Sequence, residues 1–344
     1  MNDKRPKLGI TMGDPAGVGP EISVKALANP RVYEISRPII VGDANVIFNA
    51  AKMLGQDLDI RAVTDVRDAL FEYGTIDVYD LKNVNFDELE IGKVSKKAGI
   101  AAYKAVEKVI ELALKRDIDG TVTCPINKEA INLAGYHYSG HTEIFAELTN
   151  TKSYAMMLAD ENLRVVHVST HVSLRKACDL VKKERILERI LLANDACKKL
   201  GIEYPRIAVA ALNPHAGENG LFGNEEKEEI IPAIEEARNF GINAFGPEPP
   251  DTVFSKARGG IYDIVVAMYH DQGHIPLKVV GFVMNPETGR WDVVKGVNIT
   301  LGLPIVRSSV DHGTAFDQAW KGTASEASLI NAIEYAARLA ALTG

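Results

Sequence analysis

The sequence predicts an α/β fold with mostly parallel sheets covered by helices. Short apolar runs alternate with amphipathic helical periods throughout the chain, the pattern of repeated strand–helix–strand units. Three strand-like runs each lead to a histidine, and open α/β sheets bind ligands at the carboxyl ends of their strands. The 344 residues, 46% hydrophobic and 25% charged, suffice for two α/β lobes or one large domain.

Taken in order, Lys7-Leu8-Gly9-Ile10-Thr11-Met12 and Arg37-Pro38-Ile39-Ile40-Val41-Gly42 read as strands. Between them Pro20 to Ala28 reads as a helix opened by proline in its first turn. Lys96 to Arg116 has apolar residues at helical spacing and ends in Lys and Arg, which suit a helix C-terminus. Asp119 to Thr123 returns to a strand. Lys183 to Leu200 is a long amphipathic helix, and Arg206 to Leu212 is the strand after it. Asn-Pro followed by Thr-Gly within Met284 to Trp291 predicts a hairpin or loop between two motif-bearing segments. No internal repeat or linker rich in Ser, Pro or Gly marks a domain boundary.

Composition removes several function classes. A net charge of -7 rules out a global basic field, so neither nucleic acid nor an anionic membrane is expected as main partner. An anionic substrate must then be held by local cations. No run approaches the roughly 18 apolar residues of a membrane span. The charged stretch Met1 to Lys7 lacks the apolar core of a signal peptide, which predicts a cytoplasmic protein. Cys124, Cys178 and Cys197 form no CxxC pair and fit a reducing compartment. Cys124 reads as a small buried residue.

All eight histidines lie beyond residue 136. The run Arg164 to Thr170 leads to His171, Ile207 to Leu212 leads through Asn213-Pro214 to His215, and Tyr262 to Tyr269 leads to His270. Imidazoles delivered to strand ends can converge on one point, and three of them with an open position suit a catalytic divalent ion. A single strand-end histidine more often satisfies a backbone carbonyl; the three together favour a site. Asp271 is placed to be a further ligand, a partner that orients a ligand through a hydrogen bond, or a proton carrier. His167 reads as a core or surface histidine.

Other segments offer anion contacts. Gly13-Asp14-Pro15-Ala16-Gly17-Val18-Gly19-Pro20-Glu21 joins the first strand to the first helix, where N–H groups can face an anion, although a tight turn explains the glycines equally well. It lacks the third glycine of a dinucleotide fingerprint. Ser139-Gly140-His141-Thr142-Glu143 puts donors at the start of a helix from Thr142 to Leu148, and Asn127 and Lys128 follow a strand. Lys278, Asn298 and Arg307 lie near the His270 segment. Any of the cations could be a solvated surface group. That reading is weakest for Arg307, which follows the apolar Gly302-Leu303-Pro304-Ile305-Val306.

These motifs in this order resemble the 4-hydroxythreonine-4-phosphate dehydrogenases from end to end. The resemblance is carried by Thr11-Met12-Gly13-Asp14-Pro15-Ala16-Gly17, Pro125-Ile126-Asn127-Lys128, Gly140-His141-Thr142-Glu143, Asn213-Pro214-His215-Ala216-Gly217-Glu218, Tyr269-His270-Asp271-Gln272-Gly273, Asn298 to Pro304 and Asp311-His312-Gly313-Thr314. It implies a two-lobed α/β/α fold similar to the isocitrate and isopropylmalate dehydrogenases, with the active site in the interlobe cleft near a homodimer interface. The lobes are expected at residues 1–128 plus 300–344 and at 129–299. It implies metal ligands at His171, His215 and His270, contributed across the dimer, with Zn, Mg or Co as the ion. Substrate contacts are implied at His141, Thr142, Lys278, Asn298 and Arg307, and NAD is implied as cofactor. Asp271 is the candidate general base.

Val168-Ser169-Thr170-His171, Glu218 to Gly223 and Gly273 to Lys278 look closer to the 4-phospho-D-threonate 3-dehydrogenase branch, as does His274 beside Lys278. The segment Val283 to Lys295 departs from both patterns. The expected reaction is NAD-dependent oxidation and decarboxylation of 4-phospho-D-threonate or 4-phospho-D-erythronate to dihydroxyacetone phosphate. The alternatives are a 4-phosphohydroxy-L-threonine dehydrogenase of pyridoxal phosphate synthesis, a metal-dependent aldolase-type lyase, and a sugar-phosphate sensor without catalysis.

Overall fold

A computed structural model describes residues 3–160, 162–287, 290–294 and 296–342. The chain is α/β, as its strand–helix alternation predicts, and divides into two compact units. One comprises residues 1–152, 293–297 and 303–344; the other comprises 153–292 and 298–302.

The first unit holds strands β1 (Lys7–Thr11), β2 (Arg37–Gly42), β3 (Asp59–Val63), β4 (Thr75–Asp80), β5 (Gly120–Thr123) and β14 (Arg307–Val310). They are ordered β3-β4-β2-β1-β5-β14, with every neighbouring pair parallel. The inner strands β1 and β2 are buried on both faces and so read as nearly continuous apolar runs, whereas the edge strand β3 is largely exposed. The helices are α1 (Gly19–Leu27), α2 (Pro30–Ile35), α3 (Ala44–Met53), α4 (Lys96–Leu114), α5 (Lys128–Leu133), α6 (His141–Leu148) and α12 (Ala327–Ala341). Ile39 and Val41 pack with Val106, Val109 and Ile110 of α4 in one core cluster. That cluster also takes in Ile131, Ile144 and Phe145, so α5 and α6 belong to this unit. Its boundary therefore falls after Lys152, whereas the sequence reading divides the chain at residue 128.

Helix starts follow their local chemistry. Ser95 Oγ accepts from Ala98 N at the head of α4, and Asn127 Oδ1 accepts from Ala130 N at the head of α5. Gly99 is needed where α4 meets α5, because a Cβ there would lie 2.1 Å from the Ala130 carbonyl oxygen.

The second unit holds β6 (Ala155–Asp160), β7 (Leu163–His167), β8 (Ile207–Ala210), β9 (Ala244–Glu248), β10 (Ile264–Ala267) and all of β13 (Val297–Leu301) but its first residue, ordered β13-β6-β7-β10-β8-β9. β6 and β7 are antiparallel, while β7, β10, β8 and β9 run parallel. Its helices are α7 (Leu174–Asp179), α8 (Lys183–Lys199), α9 (Ile231–Asn239), α10 (Val253–Arg258) and α11 (His270–Gly281). Val165, Ala208, Val265 and Leu277 share a core cluster with Phe254 of α10.

The insertion forms a two-stranded hairpin of β11 (Phe282–Asn285) and β12 (Arg290–Val294), as its turn residues predict. Thr288 and Gly289 of the predicted turn, and Lys295, lie outside the described residues. No described helix is long and apolar enough to cross a membrane.

Candidate active site

The three predicted strand ends are neighbours in space. β7, β10 and β8 lie side by side and parallel, so their carboxyl ends share one edge of the second unit's sheet. His171 follows β7 by four residues, His270 opens α11 three residues after β10, and His215 follows β8 by five. The His171 and His270 rings are 5.8 Å apart between centroids and line one pocket with Thr170, Ser173, Tyr269 and Asp271. His270 Nδ1 is 2.6 Å from Asp271 Oδ1, a contact that fixes the ring and leaves Nε2 as the free donor atom.

His215 does not line that pocket. It opens a left-handed run after β8, with its ring 6.5 Å from that of Phe222. Among the described residues of this single chain, no three His, Cys, Asp or Glu side chains close around one point. The chemistry of the donor set suits a divalent ion at His171 and His270, with Asp271 bonded to the latter; the third imidazole stands apart from them.

Beneath the pocket lie two further histidines, His274 and His167. His274 is 8% exposed and stacks on His270, ring centroids 3.6 Å apart and planes 12° from parallel. Its Nδ1 is 2.9 Å from the His270 carbonyl oxygen. Burial, with His270 close by, lowers its pKa to about 4, so it is neutral at physiological pH. His274 is thus packed against His270 within the fold. The i, i+4 spacing on α11 was the available signal.

His167, whose ring centroid lies 4.7 Å from that of His274, is a core residue with its pKa pushed by burial to about 3. Gly273 permits this packing, since a Cβ there would come within 2.4 Å of His167 Nε2. Lys278, one turn beyond His274, sets its Nζ 4.2 Å from the Phe282 ring centroid. Asn298 on β13 donates through Nδ2 to Met156 Sδ at 3.0 Å, while its buried Oδ1 has no hydrogen-bond partner among the described residues.

A second group forms within the first unit. Arg307, at the start of β14, is 2% exposed. Its Nη2 donates to Thr123 Oγ1 at 3.0 Å, its Nη1 reaches Thr142 Oγ1 at 3.5 Å, and its guanidinium lies 5.4 Å from the Phe145 ring centroid. Burial lowers the guanidinium to about 10, partly offset by the negative charge of Glu143, so it stays cationic at neutral pH. His141 opens α6 with a buried Nε2 that makes no hydrogen bond among the described residues. Its own burial, then the positive charges of Arg307 and Lys128, hold its pKa well below the usual histidine range. A fixed cation, a neutral imidazole and a hydroxyl thus come together, a set able to hold an anion. Sequence reasoning named Arg307, His141 and Thr142 but not Thr123, which looked like an ordinary strand residue. Asn127 serves as the cap of α5.

The glycine-rich turn before α1 is a packing solution. A Cβ on Gly13 would sit 2.5 Å from the Pro125 carbonyl oxygen, and one on Gly19 2.2 Å from that of Met12. Val18 N already donates to Thr314 O, and Asp14 and Glu21 are fully buried carboxyl groups at the same helix start. Burial raises Asp14 to about 6. An anion has little reason to approach there. Cys124 is fully buried, its thiol pushed up to about 12, in keeping with a small core residue.

Comparison with known proteins places this arrangement. The family model for pyridoxal phosphate biosynthetic protein PdxA matches residues 34–336. A provisionally named D-threonate 4-phosphate dehydrogenase of Oceanobacillus iheyensis is 49% identical over 339 residues, 98% of each chain. The crystal structure of a 4-hydroxythreonine-4-phosphate dehydrogenase from Klebsiella pneumoniae superposes with a TM-score of 0.85 at 43% identity, covering 97% of this chain and 99% of that one. A 4-hydroxythreonine-4-phosphate dehydrogenase from Burkholderia phymatum gives the same TM-score at 45% identity, over 97% and 98% of the two chains. With a family match across most of its length and dehydrogenases among its full-length relatives, the chain is an oxidoreductase that belongs to the PdxA family.

Proposed function

We propose that this protein is an NAD-dependent, divalent-metal-dependent dehydrogenase of 4-phospho-D-threonate or 4-phospho-D-erythronate. It oxidises the C3 hydroxyl and releases carbon dioxide, leaving dihydroxyacetone phosphate. The observation that carries the reading is the buried Arg307 guanidinium flanked by Thr142 and neutral His141, a site suited to a small phosphorylated anion in a protein of net charge -7. The D-threonate 4-phosphate name of a relative 49% identical favours the hydroxy acid over the amino acid.

In the reaction, hydride leaves C3 for the nicotinamide and the hydroxyl proton goes to a base. The product is a β-keto acid; its carboxylate departs as carbon dioxide, and the electron pair left on C2 takes up a proton. His171, His215 and His270 are the proposed ligands of the ion, which when bound would polarise the C3 oxygen and stabilise negative charge that develops on it. Arg307, His141 and Thr142 hold one anionic end of the substrate, and Lys278 and Asn298 contact the remaining polar groups. Asp271 orients His270 through Nδ1 and is the proposed proton acceptor. Holding the substrate in this way converts binding into orientation, a contribution of up to about 7–11 kcal/mol at the extreme.

The protein is proposed to act as a homodimer with ligands from both subunits. In its support, His215 lies outside the pocket that His171 and His270 line, and exposed apolar side chains surround these groups. Val172 and Leu174 line the pocket and are exposed, Ile275 and Val279 are exposed on α11, and Leu221 and Phe222 follow His215. A second copy covering them would remove apolar surface from water. Sedimentation with bound ion, in wild type and in Val279→Glu, tests this: loss of the dimer together with the ion is expected, and a monomer that keeps the ion would refute it.

Activity itself is tested by following NADH and carbon dioxide on adding each phosphorylated substrate. The second reading, 4-phosphohydroxy-L-threonine as substrate, has in its favour the family description as a pyridoxal phosphate biosynthetic protein.

A further inference from the structure

The segment that carries His215 is held in a strained conformation by a carboxylate outside the predicted site. His215, Ala216, Gly217, Glu218 and Asn219 follow one another through the left-handed region, with φ of 52, 57, 79, 44 and 58°. Four of these five are not glycine, and L residues resist this conformation because Cβ crowds the following carbonyl oxygen. Such a run persists only where its surroundings over-determine it, and strain of this kind gathers at functional sites.

The surroundings centre on Glu226, which is 2% exposed. Its Oε1 accepts from Leu212 N at 2.9 Å and Asn213 N at 2.8 Å, and its Oε2 accepts from Asn213 Nδ2 at 3.0 Å. The entrance to the left-handed run is thereby held through two successive backbone amides and the Asn213 side chain before Pro214. Gly217 lies directly on the same carboxylate, since a Cβ there would come within 2.6 Å of Glu226 Oε2. Lys227, the next residue, donates to the Asn219 carbonyl at the other end of the run. One short stretch thus clamps the entrance, middle and exit of the turn that presents His215.

We propose that Glu226 is a positioning residue for the divalent-ion site, fixing the left-handed turn so that the His215 imidazole is presented in one direction. It touches neither substrate nor ion and acts through the backbone of Leu212 and Asn213. The inference rests on the reading of His215 as a metal ligand. Partners that orient a ligand from behind commonly change metal affinity by about 10–100-fold when altered.

The test uses the full-length protein with Co2+ alone as probe. Co2+ affinity by titration calorimetry and amide hydrogen exchange across residues 212–222 are measured for wild type, Glu226→Gln, Gly217→Ala and His215→Ala. Glutamine keeps one acceptor oxygen but turns a second donor toward Asn213 Nδ2. Alanine at 217 presses on the carboxylate while leaving Glu226 in place. Both variants are expected to exchange faster in 212–222 and to bind Co2+ about 10–100-fold more weakly. If His215→Ala loses Co2+ while Glu226→Gln and Gly217→Ala bind it as wild type does, the proposal is overturned and the ligand reading stands. If His215→Ala binds Co2+ normally, the ligand reading falls and the proposal falls with it. Should Glu226→Gln fail to fold, Glu226→Asp, which withdraws the carboxylate and leaves Gly217 unchanged, decides: unchanged affinity and exchange overturn the proposal, and their joint loosening supports it.

Discussion

Replacing Arg307 with lysine keeps a positive charge and removes the fork, which makes it the sharpest perturbation of the anion site. Arg307 is 2% exposed, donates to Thr123 Oγ1 at 3.0 Å and lies 5.4 Å from the Phe145 ring centroid. The contact with Thr142 Oγ1 at 3.5 Å is too long to weigh heavily. Losing one net hydrogen bond removes about 1 kcal/mol, a weakened cation–π contact about 0.5–1, and the second N–H to a bound anion a similar amount. The total is about 2–3 kcal/mol, or roughly 30–150-fold in kcat/KM.

Part of the Thr123 term acts on folding, so Tm is measured beside the kinetics. A pH effect separates charge from shape. Arginine at this site is lowered only to about 10 by burial. The same burial acts on a lysine whose ordinary value is about 10.4, bringing its deprotonation nearer to neutrality. The kcat/KM of Arg307→Lys should therefore decline at alkaline pH before that of the wild type. The assay is steady-state NADH formation at saturating cofactor. A variant within about twofold of wild type at every pH would refute the assignment.

Three further outcomes follow from the same structure. His141, held well below the usual range, and His167, at about 3, remain neutral when folded and take up protons when unfolded. Stability should fall as pH drops below about 6.5, by at most about 1.4 kcal/mol per pH unit for each group. His167→Leu should flatten the decline in Tm between about pH 7 and about pH 5, and an unaltered slope would contradict this. Gly99→Ala forces a methyl to within 2.1 Å of the Ala130 carbonyl oxygen and should lower the urea midpoint by the equivalent of about 1–3 kcal/mol; an unchanged midpoint would contradict the α4–α5 packing. His274→Leu removes the stack on His270 and should lower kcat/KM for hydroxy-acid and amino-acid substrates alike, by about 10-fold or more. A switch of preference between them would instead point to direct contact of His274 with substrate.

The readable parts of this fold are those set by local pattern. Parallel strands such as β8 and β10 are apolar on both faces, and the helix ending at Leu114 is opened by a serine cap and followed by Lys115 and Arg116. Boundaries drifted by at most three residues, most at the end of β7, where the reading runs on to Thr170 but the strand stops at His167. The strand-end rule located His171 and His270 because β7 and β10 are neighbours. It could not foresee that His215 leaves β8 through a left-handed turn, since Ala216 and Glu218 within it have no liking for positive φ. Glu226 gave no local sign either, because its role depends on chain that folds back from the next helical segment. The glycines of Gly13 to Gly19 invited an anion, and only the proximity of the Pro125 and Met12 carbonyls shows that the space is already filled by backbone.

The central claim is that this protein oxidises a phosphorylated four-carbon hydroxy acid at C3. Its most direct test is the release of NADH and carbon dioxide from 4-phospho-D-threonate by the purified protein with NAD and Co2+, beside 4-phosphohydroxy-L-threonine under the same conditions. One NADH and one carbon dioxide per 4-phospho-D-threonate consumed, with a higher kcat/KM than for the amino substrate, is the predicted result. A clear preference for 4-phosphohydroxy-L-threonine, or no NAD reduction with either compound, would contradict the account.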